Sequence, residues 1–369
     1  MKTRFPVSWQ RLLLAVFLLL FAACDSGGDN GGDALTEIGA FDEWTTDTPA
    51  SQHLDVEILN RMTESLREGD YGRVHSLLIA RNGVLVYEEY FRGATREGLH
   101  QVYSVTKSFT SALIGIAIAE GHIEGVDTPL LDFFSTYETV ENMSPRKAQI
   151  TLEDVLNMQT GLQWDEWSMP YDHPNNPTAL LSRSSDWMKF MLDLPMANEP
   201  GTDFTYNSGA TMLLAGILKN TTGRTAEDYA REKLFEPLGI DRYTWREGPN
   251  DITNTGWGLF LTPREMARFG HLILMKGQWG HRRIVPEAWI DVLAEPASTF
   301  GDGTGYTYQW WLMLMPDGSR YVPYAEGYGG QFIFVLPWLD MVVVSTAINY
   351  TSSSNIRALL NAFVFPAAD

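Results

Sequence analysis

Residues 103–121 read YSVTKSFTSALIGIAIAEG. From Phe109 onward this stretch is apolar on nearly every face, so it predicts a helix central to the molecule, ending near Gly121. Ser104 stands where that helix begins, and Lys107 follows three residues later on the same face. A serine at a helix start is often only an N-cap, and Ser-x-x-Lys alone is weak evidence of chemistry. The lysine changes the reading. Burying an ammonium costs several kcal/mol unless it is paired or sheds its proton. A lysine that sheds its proton in a dry site is a base, and a serine hydroxyl within reach is the group it would activate. A second Ser-x-x-Lys, Ser144 to Lys147, lies in polar surroundings that predict a solvated loop.

Outward from this helix the chain changes character twice. Before it, LDVEILNRMTESL has apolar residues at helical spacing, and RVHSLLIARNGVLVYEEYF gives two strand-like runs around Asn82-Gly83, a strong hairpin signal. After it, residues from about 105 to 300 are mainly helical, with start signals at Thr151, Thr225 and Thr262, the last with Pro263 in the first turn and Glu265 completing a capping box. YTYQWWLML, RYVPYA, QFIFVLP and LDMVVVSTAI then read as strands, and SSSNIRALLNAFV as a closing helix. The expected fold is α+β, with one antiparallel sheet built from both chain ends, helices covering it, and a mainly helical insertion over approximately 125–300. A ligand belongs in the cleft between the two parts. Of the paired tryptophans Trp310 and Trp311, alternation on a strand sends one toward the cleft and one toward the core.

The first residues are a separate matter. Lys2, Arg4 and Arg11 precede LLLAVFLLLFAA, an apolar run too short to span a bilayer comfortably, so residues 1–23 read as a signal peptide. Ala22 and Ala23 lead into Cys24, the single cysteine of the chain, in a layout that resembles a bacterial lipoprotein signal. That resemblance implies lipidation at Cys24, a Gly/Asp-rich tether over 24–36, a globular domain over 37–369, and a place in the cell envelope on the extracytoplasmic side. The alternative is a plain secretory signal with an incidental thiol. One cysteine allows no disulfide framework and no cysteine-based metal site. A formal charge of −19, made more negative by removal of the three basic leader residues, repels nucleic acid and anionic lipid.

With the helix and its Ser104-x-x-Lys107 in place, the ordered set of segments resembles the serine β-lactamase and penicillin-binding superfamily, class C-like branch. ITLEDVLNMQTGLQW, PGTDFTYNSGATMLLAGIL and GWGLFLTPREMARFGHLIL carry the resemblance beyond the first motif. It implies Ser104 as nucleophile, Lys107 as base, and Tyr206 as the tyrosine that shuttles protons beside the lysine. Ser208 falls where the second motif has its asparagine, and Ala325-Glu326-Gly327 fits the third motif in place of Lys-Thr-Gly. On that alignment Ser208 and Gly327 contact substrate, and the backbone N–H groups of Ser104 and Tyr328 form the oxyanion hole. Tyr171 matches a cleft tyrosine of the branch that contains 6-aminohexanoate-dimer hydrolase and related esterases, which YNSG and GYGGQ resemble most.

The expected activity is therefore hydrolysis of esters or small amides through an acyl-enzyme. Alternatives are a β-lactamase or D-Ala-D-Ala peptidase, and a non-catalytic binding or scaffold protein of the same fold. A Ser-His-Asp hydrolase would carry G-x-S-x-G, which is missing from the sequence, and the dispersed histidines show no zinc-ligand spacing. No cofactor and no metal is implied. His122 and His271 read as structural or surface residues.

Overall fold

The computed structural model describes residues 44–315, 317–351 and 356–368. The leader, the tether and Cys24 lie outside the described residues. After a short 3-10 turn (Pro49–Gln52) comes helix α1 (Val56–Glu68), capped by the Asp55 carboxylate on the N–H groups of Glu57 and Ile58. β1 (Val74–Arg81) and β2 (Val84–Tyr90) form the expected hairpin. Asn82 (φ 51°) and Gly83 (φ 75°) both sit in the left-handed region, as a tight hairpin turn that follows strand twist requires.

The chain then enters the long central helix α2 (Val105–Ala119), nearly every residue of which is buried. Three more elements position the site: helix α3 (Ser208–Thr222), helix α4 (Pro263–Leu274), and the C-terminal strands. Numbered for the main sheet alone, those strands are β3 (Ser298–Thr299), β4 (Thr304–Thr307), β5 (Trp310–Leu314), β6 (Tyr321–Gly327), β7 (Gln331–Leu336) and β8 (Met341–Ala347). The eight strands lie in the order β2-β1-β8-β7-β6-β5-β4-β3, every neighbouring pair antiparallel. Strand β1 pairs with β8, so the two ends of the chain close one sheet.

Each face of that sheet carries its own core. Ala325, Ile333, Val342 and Val344 pack toward α2 and α4, whereas Tyr324, Phe332, Phe334 and Val343 pack toward α1 and the C-terminal helical segment. The approach of α4 is close enough that a methyl group on Gly270 would sit 2.6 Å from Val342 and 2.7 Å from Ile333. Thr151 and Thr262 both head capping boxes, with Asp154 and Glu265, and Thr225 caps the Asp228 N–H. The middle of the chain is less purely helical than its sequence suggests. It also holds a three-stranded sheet of His100–Gln101, Leu259–Leu261 and Tyr243–Trp245, and a small hairpin of Gln278–Trp279 with Arg282–Arg283.

One expectation needs correction. Ser144 to Lys147 is no solvated loop: Ser144 caps the short helix Pro145–Ala148, and Lys147 is buried with its Nζ donating to the carbonyls of Glu141 (2.7 Å) and Leu192 (2.8 Å). Backbone carbonyls satisfy this ammonium, and the Ser144 hydroxyl is occupied by the Lys147 N–H, so the pair has no chemistry in common with the first. His271 is buried, its ring against Trp44 and Trp279 and its Nδ1 without a hydrogen-bond partner among the described residues. Burial lowers its pKa to about 4, so it is a neutral core residue near neutrality.

Candidate active site

Tyr103 leads into α2 with φ 48°, a conformation that aromatic residues seldom adopt, so backbone strain sits immediately before Ser104. Ser104 makes no side-chain cap bond. Its Oγ instead accepts a hydrogen bond from Lys107 Nζ at 2.9 Å, the geometry that i, i+3 spacing on one helical face provides. Lys107 is 1% exposed. Its Nζ also donates to the Gly256 carbonyl (2.8 Å) and lies 5.0 Å from the centroid of the Tyr206 ring. Burial pulls the lysine pKa down to about 8, against an opposing attraction from the Glu166 carboxylate.

Tyr206 is buried beside this pair, and its pKa moves the other way. Loss of water raises it well above the ordinary phenol value, with the hydroxyls of Tyr306 and Tyr171 and the Glu166 charge adding to the rise and a hydrogen bond with Ser104 opposing it. The lysine therefore gives up its proton first, and the tyrosine stays a neutral phenol that can pass a proton on. The Tyr206 ring is held in a stack, 5.2 Å from Trp167 and 5.7 Å from Trp311 with interplanar angles of 16° and 19°. Trp310, its neighbour on β5, faces the opposite way and stacks on Phe269 in the core.

The end of β6 is pressed against the segment that enters α2. A Cβ on Gly327 would lie 2.2 Å from the Val102 carbonyl oxygen, so only glycine permits this approach. It brings Tyr328 to the rim of the cavity that Ser104 lines. Among the described residues, neither the Ser104 N–H nor the Tyr328 N–H is spent on a hydrogen bond. Gly329 (φ 87°) and Gly330 (φ 103°) turn the chain from β6 into β7.

No local pattern in the chain marks Glu166 as a site residue. It is 2% exposed, and its carboxylate accepts from Trp164 Nε1 (2.7 Å), the Tyr171 hydroxyl (3.0 Å), the Ser208 N–H (2.7 Å) and the Ser208 hydroxyl (2.8 Å). This buried acid ties the loop of residues 164–171 to the start of α3. Ser208, read as a substrate contact, thus spends its hydroxyl hydrogen on Glu166, although it still borders the cleft. Tyr171 does reach the cleft, its ring edge-on to Tyr328 at 5.4 Å.

Ser104, Tyr171 and Tyr328 line two adjoining cavities, one of about 440 Å³ that contains Trp311 and Glu326, the other of about 370 Å³ that contains Trp257 and Arg246. Such a two-armed cleft suits a substrate that extends to both sides of the bond being cut. Among the described residues no group of three His, Cys, Asp or Glu side chains is arranged to hold a metal ion.

Comparison with known proteins bears on the family and the fold. The family model described as "Beta-lactamase" matches residues 63–362. The chain is 26% identical over 299 residues to a 6-aminohexanoate-dimer hydrolase of Paenarthrobacter ureafaciens, covering 73% of this chain and 71% of that protein. It is 23% identical over 198 residues to a D-aminopeptidase of Brucella canis, covering 51% of this chain and only 36% of that protein's length. A Bacillus anthracis structure assigned as a 6-aminohexanoate-dimer hydrolase shares the fold with a TM-score of 0.71 at 24% identity, over 83% of this chain and 81% of that one.

Proposed function

The chain belongs to the beta-lactamase family, and from that premise we propose that it is a serine hydrolase that cleaves esters or small amides through an acyl-enzyme on Ser104. The observation that carries the reading is the 2.9 Å contact between Lys107 Nζ and Ser104 Oγ, made by a buried amine whose pKa burial lowers to about 8.

The chemistry follows from the positions. Neutral Lys107 takes the Ser104 hydroxyl proton as Oγ attacks the substrate carbonyl carbon. The resulting oxyanion sits against the N–H groups of Ser104 and Tyr328, each worth about 2.7–4 kcal/mol to the transition state. Tyr206 hands its proton to the leaving group and regains one from the Lys107 ammonium. Water then attacks the acyl-enzyme by the reverse of these steps, which restores Ser104. The named relatives, a 6-aminohexanoate-dimer hydrolase and a D-aminopeptidase, support small amide substrates. β-Lactam and D-Ala-D-Ala hydrolysis rank below this, because Glu326 occupies the third-motif position where a substrate carboxylate would arrive.

We further propose that the protein is lipidated at Cys24 and works on the extracytoplasmic side of the membrane, a reading that rests on the leader sequence. Cys24→Ser should then move the protein from the membrane to the soluble fraction. For the activity, wild type should hydrolyse a short-chain p-nitrophenyl ester and react with a fluorophosphonate probe, and Ser104→Ala should do neither. A Ser104→Ala variant with undiminished turnover would remove Ser104 from the mechanism.

A further inference from the structure

The larger arm of the cleft has a charge that the hydrolytic chemistry does not use. Glu326 is the penultimate residue of β6, two positions before Tyr328, and it lines the same 440 Å³ cavity as Ser104. Among the described residues its carboxylate makes no hydrogen bond and no ion pair. The cation that acts on it is Arg357, whose Nη1 donates to the Tyr324 hydroxyl at 3.2 Å. This carboxylate is half-buried at the cavity wall, so it has lost part of its water without gaining a donor, and that loss raises its pKa against the opposing pull of Arg357. Such a group leaves its lone pairs open to a donor or cation that enters the cavity.

The same cavity is walled by the Trp167–Tyr206–Trp311 stack. Aromatic faces beside a carboxylate make a surface that attracts positive charge and repels negative charge. A neutral acyl chain would gain from the rings and leave the carboxylate uncompensated; an anionic one would be driven off. Only a cation satisfies both features.

We propose that Glu326 and the Trp311–Tyr206–Trp167 wall form a subsite for a cationic substituent of the substrate, an ammonium or quaternary ammonium group carried next to the carbonyl that Ser104 attacks. This deepens the reading of the cleft as that of a serine hydrolase and rests on it for the placement of the carbonyl. It also inverts the preference expected of a third motif with a lysine, which holds a carboxylate. The charge pattern thus sets which amides or esters are hydrolysed.

The test compares nitrophenyl esters of trimethylammonio-butyric acid, of its tert-butyl carbon isostere and of glutaric acid as the hemiester, with a second arm that moves the charge to the alcohol, choline acetate against its carbon isostere. The readout is the ratio of kcat/KM between cationic and neutral partners. In wild type, in at least one arm, the cationic ester should lead by about tenfold or more, which corresponds to about 1.4 kcal/mol. Glu326→Gln, nearly isosteric, should bring that ratio close to one. No cationic preference in either arm, or a preference untouched by Glu326→Gln, overturns the proposal. Calorimetric titration with hexyltrimethylammonium separates this outcome from failure of the serine reading. Binding that weakens about tenfold in Glu326→Gln upholds the subsite even if no ester is turned over. Equal binding by the two proteins, or none, overturns it.

Discussion

The Glu166 carboxylate accepts both hydrogens that Ser208 offers, the backbone N–H at 2.7 Å and the hydroxyl at 2.8 Å. With Trp164 and Tyr171 also bound to it, this one buried acid fixes the cleft loop against the helix that follows Tyr206. It also lends negative charge to the surroundings of Lys107, which keeps the lysine pKa higher than burial alone would leave it.

The pH dependence follows from that balance. Lys107 acts as a base only when neutral, so kcat/KM should rise with pH along a single-proton limb centred near the lysine pKa of about 8. Glu166→Gln removes the charge that favours the ammonium. The limb should therefore move to lower pH, even though peak activity falls from the loosened loop. A profile that keeps its midpoint while losing height would make Glu166 a purely structural residue.

Tyr206→Phe separates the relay from the nucleophile. A nitrophenolate leaves without needing a proton, whereas an amine does not. The variant should retain much of its turnover of a p-nitrophenyl ester and lose about a hundred-fold or more on the matching anilide. Equal losses on both substrates would place Tyr206 in serine activation instead.

Gly327→Ala tests the oxyanion hole through the backbone. The added methyl would meet the Val102 carbonyl, so β6 must withdraw and carry the Tyr328 N–H with it. Loss of one donor lowers kcat by about 10²–10³-fold with a smaller change in KM. Steady-state kinetics on a folded variant, checked by circular dichroism, decide it.

Acid stability should report His271. Its folded pKa of about 4 lies below the usual value of 6.5, so between these pH values the unfolded chain binds a proton that the folded one refuses. Stability is present in full above about pH 6.5 and declines as pH falls toward 4, by about 3 kcal/mol from this residue. His271→Leu should flatten that part of the denaturant-midpoint profile.

What the sequence makes legible here is what local rules control. The hairpin at Asn82-Gly83, the capping boxes at Thr151 and Thr262, and the pairing of Ser104 with Lys107 all depend on residues within one helical turn or one tight turn of each other. Glu166 is illegible because its meaning comes from Ser208, 42 residues away, and an acid between two tryptophans in a loop has no period to mark it. The Gly256 carbonyl that holds Lys107 is backbone, which has no side-chain signature at all. Lys147 misleads for the opposite reason: its sequence neighbours are polar, yet carbonyls brought together by the fold bury and satisfy it. Motif position puts Ser208 at the cleft, whereas its hydrogen-bond partner Glu166 is a property of tertiary structure.

The central claim is that a dehydrated Lys107 makes Ser104 nucleophilic, and the most direct measurement is the rate at which a fluorophosphonate labels the protein as a function of pH, read by intact-protein and peptide mass spectrometry. Wild type should take up one adduct, on Ser104, at a rate that climbs through pH of about 8, and Lys107→Met should label about a hundred-fold more slowly with no such climb. Labelling of Ser104 at the same rate with and without the lysine, or an adduct on another residue, would contradict the account.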